Sequence, residues 1–341
     1  MFDKSLLSLN AAPFVNCLTS DAHKISGNLP QELGLLKNLE SLSLVHNEMT
    51  GPLPVSLAGD WHDSLTQVEL QGNSFSGTIP REWFEFKFMI RMNLGENLFT
   101  GSLPTELGLL GIGHSGMEDS TLGVFLEYNY GLTGTIPSEI GLLEELAFLR
   151  LHRTGLQGFI PTEVGLLTNL QEFWVYKSNL SGTIPTEIAL LTSMRQIRLH
   201  ETQISGVIPD VLFDLPLESF DAWQTKLGGT ISPKIGQWGD SLTTLRLQNN
   251  SFTGEIPSEM GLLANIEELY LQHNEITGFI PKSICDKIIG AMDEIIRVIK
   301  ADCIVPSNQT NLLPASFVSC ELGCCNVCCD RDTQICSEMA L

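Results

Sequence analysis

The sequence predicts an α/β repeat fold: one supersecondary unit stacked on itself as a solenoid, with a parallel inner sheet. Three observations carry this. Pro137, Pro161, Pro185 and Pro209 stand 24 residues apart, and a fixed period of that length marks a unit that buries its apolar side only against its neighbours. Inside a period, Ile197 and Leu199 alternate with Gln196, Arg198 and His200, which is a strand with one buried and one wet face. A Gly-x-Ile-Pro turn then follows, in which glycine supplies backbone freedom and proline fixes φ where no ladder hydrogen bond is donated.

Taken in order, the marks are Pro30, Pro54, Pro80, Pro104, Pro137, Pro161, Pro185, Pro209, Ser232, Pro257 and Pro281, which makes eleven units over residues 25–282. At a strand spacing of about 4.8 Å the inner sheet would run roughly 50 Å. The stretch TGTIPSEIGLLEELAFLRLHRTGLQGFIP from Thr133 to Pro161 resembles the leucine-rich repeat of the plant type, with its LxxLxLxxNxLxGxIPxxLGxLxxL consensus. The resemblance implies a leucine-rich repeat solenoid, a right-handed curved superhelix whose concave face holds peptide, glycan or protein ligands. It implies no cofactor, and an extracellular or cell-surface location.

After each strand one residue occupies the bend: Asn47, Asn73, Asn97, Asn129, Thr154, Ser178, Thr202, Thr225, Asn250 and Asn274. An inward Asn would satisfy backbone groups that the bend otherwise buries without partners. A hydroxyl is shorter and has one donor, so the ladder is expected to weaken over the four middle units.

The chain ends differ from the repeat. Residues 1–24 read as a degenerate repeat or truncated cap, with Val15, Leu18 and Ser20 where a first strand would lie. No basic segment followed by a long apolar run precedes them. An uncapped apolar end is an aggregation liability for a solenoid, so a piece of a longer secreted protein is expected. Ala58 to Ser64 and Leu110 to Leu122 stretch two units and are expected as outer loops. Over 283–301, Ile284, Ile288, Met292, Ile295 and Ile299 recur at helical spacing, which predicts an amphipathic helix capping the last repeat.

The tail, 302–341, is cysteine-rich. Cys285, Cys303, Cys320, Cys324, Cys325, Cys328, Cys329 and Cys336 suit either a disulfide framework or, through the CCxxCC core, a tetrahedral zinc site. The likeness to secreted repeat proteins favours disulfides, giving a helical, cysteine-rich C-terminal cap. Glycosylation candidates are Asn179, Asn249 and Asn308, each in an Asn-x-Ser/Thr triplet. No run of about 18 apolar residues occurs, so no membrane span is predicted in this chain.

Catalytic patterns are missing: no Gly-rich phosphate loop, kinase signature set, HExxH or GxSxG occurs, and the seven histidines fall in no triad or ligand spacing. A formal charge of −21 works against nucleic-acid binding.

The wet side of the inner strands is richer. Phe148, Arg150, His152, Trp174, Tyr176, Arg198, His200, Trp223 and Arg246 place aromatics and cations on a face that needs neither to fold. Aromatics beside arginine are the composition of binding hot spots, although such residues also stabilise any sheet by pairing across strands. Cations in so acidic a chain point to a protein, peptide or glycan ligand with acidic groups. The expected function is therefore non-catalytic recognition on the concave face, in signalling or defence. A secreted inhibitor of cell-wall-degrading enzymes and a structural or adhesive wall protein are the alternatives.

Overall fold

The computed structural model describes residues 15–114, 121–279, 298–302, 318–319, 327–329 and 336–338. They fall into two compact units, Met1–Leu180 and Ser181–Leu341. In the first, the strands Cys17–Thr19, Ser41–Ser43, Gln67–Glu69, Arg91–Asn93, Leu122–Phe125, Leu146–Arg150 and Glu172–Trp174 run parallel in chain order. The register joins like positions of successive tiers, for example Leu42 with Val68, Val68 with Met92, and Leu149 with Phe173. In the second unit, Gln196–Arg198, Ser219–Asp221, Thr244–Arg246 and Glu268–Tyr270 follow the same rule.

Alternation works as the sequence requires. Phe173 and Val175 are fully buried, whereas Glu172, Trp174 and Tyr176 between them are half-exposed. Among the described residues, tiers then turn through a short outer strand, and all but one close with a 3-10 helix such as Thr105–Leu109, Ser138–Leu142 or Thr162–Leu166. Proline precedes each of these three, its fixed φ entering the turn and its missing N–H costing nothing there. Successive helices touch backbone to backbone: a Cβ on Gly108 would come within 2.4 Å of the Glu139 carbonyl oxygen, and one on Gly141 within 2.7 Å of that of Glu163. The core of each unit is leucine-rich, with Trp61 and Trp83 wholly enclosed in the first and Trp238 in the second.

The bend is where the sequence pays most attention to polar groups. Asn97 donates to the Leu70, Leu94 and Gly95 carbonyls and accepts from the Phe75 N–H, so it ties its own tier to the one before. Asn73 and Asn129 do the same in the first unit, and Asn250 and Asn274 in the second. By contrast, the hydroxyls of Thr154, Ser178 and Thr202 donate only to the carbonyl three residues back in their own tier. The residue before the bend takes a left-handed conformation throughout, for instance Tyr128 at φ 56°, Arg153 at φ 56° and Glu201 at φ 55°.

Two expectations need correction. The stretch from Ala58 is not a loop at its start, because Val55–Trp61 is an α-helix that buries Leu57, Ala58 and Trp61. Two added residues let the outer turn complete a true helix instead of a 3-10 one. The capping helix expected over 283–301 lies outside the described residues except at its end, where Val298–Asp302 is a strand paired parallel to Glu268–Tyr270. There the backbone continues the inner sheet. In the tail, Val327–Cys329 and Cys336–Glu338 pair antiparallel with Cys329 opposite Cys336; the side chains of all eight candidate cysteines, and Asn308, lie outside what is described.

Candidate ligand-binding face

On the first unit, the in-and-out alternation brings aromatic and charged side chains into a ladder on the open side of the inner strands. The Arg150 guanidinium lies between two rings, 5.2 Å from the Phe125 centroid and 4.0 Å from that of Trp174. It donates twice to one Glu172 oxygen, at 3.0 and 2.7 Å. Arg91 also lies over the Phe125 ring, at 4.4 Å, and pairs with Glu69. His152 stacks on Tyr176 with centroids 4.2 Å apart, meets Trp174 at 5.8 Å and takes Tyr128 edge-on at 5.4 Å. Phe148 sits half-exposed two residues before Arg150, on the same face of the strand.

The second unit carries a separate polar cluster. Asp221, 1% exposed, receives Arg246 at 3.2 Å and Arg198 at 3.7 Å, and Arg246 also pairs with Glu268. Burial pushes the Asp221 carboxyl above its ordinary value, against the pull of the two guanidiniums. His200 stacks on Trp223 with centroids 4.7 Å apart and planes 11° from parallel. In the first unit the same balance holds at Glu127, where burial outweighs Arg150 and Arg91 and raises the carboxyl.

Of the nine residues expected at the face, seven are half-exposed: Phe148, Arg150, Trp174, Tyr176, Arg198, Trp223 and Arg246. The two histidines are not available as first contacts. His152 is 4% exposed and His200 8%, each covered by the ring of the following tier. The arginines also differ from expectation, because Arg150, Arg198 and Arg246 each face a carboxylate of the neighbouring strand. Their charge is locally compensated, which weakens the argument from cations alone to an acidic ligand.

Composition did not single out Tyr128, Tyr130 and Arg153 as a set. Arg153 lies 4.9 Å from the Tyr128 ring, and a hydrogen bond with Tyr130 raises its pKa further. Tyr128 and Arg153 hold the left-handed position before the bend, and that recurring position is the signal that would have placed them side by side. Asn179 and Asn249 are exposed, as glycan acceptors must be. Among the described residues no cluster of three or more His, Cys, Asp or Glu could hold a metal, and no helix is long and apolar enough to cross a membrane.

Comparison with known proteins agrees with this architecture. The leucine-rich repeat family model matches residues 241–263 and 265–286. The receptor-like kinase TMK2 of Arabidopsis thaliana is 25% identical over 263 residues, which are 76% of this chain and 23% of that protein. Among solved structures, the TDR receptor aligns with a TM-score of 0.78 and 28% identity, over 89% of this chain and 50% of that one. The plant peptide hormone receptor RGFR1, in complex with RGF2, aligns with a TM-score of 0.73 and 30% identity, over 85% and 45%. The chain thus spans about a quarter of that kinase and about half of each receptor chain. Tier by tier register, asparagine bends, Gly-x-Ile-Pro turns and these likenesses together make the chain a plant-type leucine-rich repeat protein.

Proposed function

We propose that the chain is a non-catalytic recognition module, acting outside the cell or at its surface, that holds a peptide on the inner face of its first unit. One observation carries the proposal: Trp174 and Tyr176 stand half-exposed beside Arg150 while Phe173 and Val175 of the same strand fill the core. The core is complete without those rings. A rigid aromatic pair with a pre-oriented guanidinium is what a binding hot spot needs. Phe148 extends the same surface, and Trp223, Arg198 and Arg246 offer a second one on the other unit. A ligand carboxylate would engage Arg150 by competing with Glu172; a neutral peptide backbone or a sugar ring would use the ring faces alone. That peptide hormone receptors are among the structural neighbours supports the peptide reading.

The test is selection of peptides from a random display library on the immobilised chain. The selected pool is then measured against Trp174→Ala/Tyr176→Ala. The pool should lose about a thousandfold in affinity, since two hot-spot truncations cost on the order of 2 kcal/mol or more each. The melting temperature should move little, because both side chains are half-exposed. Equal binding by the variant contradicts the proposed face; loss of folding shows that the rings are structural.

A further inference from the structure

Independently of the inner face, we propose that the outer surface of the first unit docks a cationic amphipathic helix of a partner protein. The 3-10 segments expose a leucine in three successive tiers: Leu109 at 40%, Leu142 at 59% and Leu166 at 55%. In the repeat consensus this is the unspecified residue of LGxL, so nothing in the fold demands an apolar side chain there. Ile112, 52% exposed, lines a notch together with Leu142, Glu144 and Glu145 and extends the apolar row.

Each leucine comes with a carboxylate. Glu106, Glu139 and Glu163 sit three residues earlier in the same segments, and side chains three apart eclipse one another in a 3-10 helix. The surface is therefore a row of leucines alongside a row of acids. Glu139 and Glu163 accept from the hydroxyls of Ser138 and Thr162, while Glu106 accepts from Thr105 and also meets Arg81 at 3.5 Å.

Charge and spacing choose the occupant. A second copy would bring the same acids onto these, in a chain of formal charge −21, and an anionic bilayer would be repelled likewise. A partner with lysine or arginine beside its apolar residues is complementary. Tiers repeat at about 4.8 Å along the sheet, close to the ~5.4 Å at which an α-helix presents one side chain per turn. An extended strand repeats on one face at about 6.7 Å and falls out of step within two tiers.

The probe is a synthetic helical peptide with leucines at i, i+4 and i+7 and lysines flanking them, followed by fluorescence anisotropy against the full chain. A peptide of the same composition in scrambled order is the control. Saturable binding of the patterned peptide is expected, with roughly tenfold loss for Glu139→Lys/Glu163→Lys and for Leu142→Ser/Leu166→Ser. Equal binding of the scrambled peptide, or no loss in the glutamate variant, overturns the proposal. Should the leucine variant fail to fold, the glutamate variant decides alone, because those side chains lie at the surface. Self-association of the wild-type chain that Leu142→Ser/Leu166→Ser abolishes would make a second copy the occupant and also overturn it.

Discussion

Replacing Asn97 by alanine deletes four hydrogen bonds at once. The Leu70, Leu94 and Gly95 carbonyls each lose one donor but keep Asn73, Asn129 and the Gly72 N–H respectively, whereas the Phe75 N–H loses its acceptor. Asn97 is 3% exposed, so these groups face no bulk solvent. At about 1–3 kcal/mol for the buried Phe75 N–H left unsatisfied, and about 1 kcal/mol for the bonds lost from carbonyls that keep another donor, the loss is on the order of 3 kcal/mol. Thr202→Ala, at the equivalent bend of a later tier, removes one good bond to the Leu199 carbonyl at 2.7 Å and a long one from the Ile204 N–H at 3.4 Å. Its cost should be about 1–2 kcal/mol. The difference has a further consequence, since Asn97 joins two tiers and Thr202 only its own. In a stack stabilised by nearest-neighbour interfaces, the first change should lower cooperativity as well as stability. Urea titration followed by circular dichroism gives both costs and the transition slopes, and hydrogen exchange reads the Phe75 amide directly. Equal costs for the two variants, or a Phe75 amide that exchanges no faster in Asn97→Ala, would refute the reasoning.

Three other outcomes are expected. Gly206 has φ 85°, and a Cβ there would stand 2.9 Å from Thr183 Cγ2; Gly206→Ala should therefore cost about 1–3 kcal/mol in a denaturant titration despite removing no contact. The folded-state pKa of Asp221 is raised, so the folded chain holds this proton to higher pH than the unfolded one. Its contribution is fully present below the ordinary carboxylate value and is lost as pH rises through the folded value. The melting temperature of Asp221→Asn should consequently fall less over that interval than that of the wild type, and parallel curves would contradict the assignment. Expression through a secretory pathway should add glycans at Asn179 and Asn249, seen as mass increments that Ser181→Ala and Ser251→Ala remove singly.

Much of this molecule was legible because one physical requirement repeats. A tier cannot bury its own leucines, so the period, the alternation and the bend residues all had to appear in the sequence, and Trp174, Tyr176 and Arg150 could be placed on the wet side by counting in twos. What escaped notice depends on register between tiers. Glu69 and Arg91, Arg150 and Glu172, and Arg246 and Glu268 each lie 22 residues apart, a spacing that joins neighbouring strands diagonally; that Glu172 could neutralise an arginine was readable from the sequence, but not which arginine each carboxylate meets. The histidines were misjudged for a related reason: their strand positions face outward, but rings of the next tier close over them. Composition gives no measure of that covering. The helix at Val55–Trp61 was hidden because two extra residues read equally well as a loop until the buried Trp61 is seen.

The central claim is that the open side of the first unit's inner strands is where a ligand lands. Hydrogen exchange of the full chain, with and without a peptide selected on it, tests this most directly. Slowed exchange is expected in residues 148–153 and 172–177, with the outer 3-10 segments unchanged. Protection confined to those outer segments, or to the chain beyond residue 279, would contradict it.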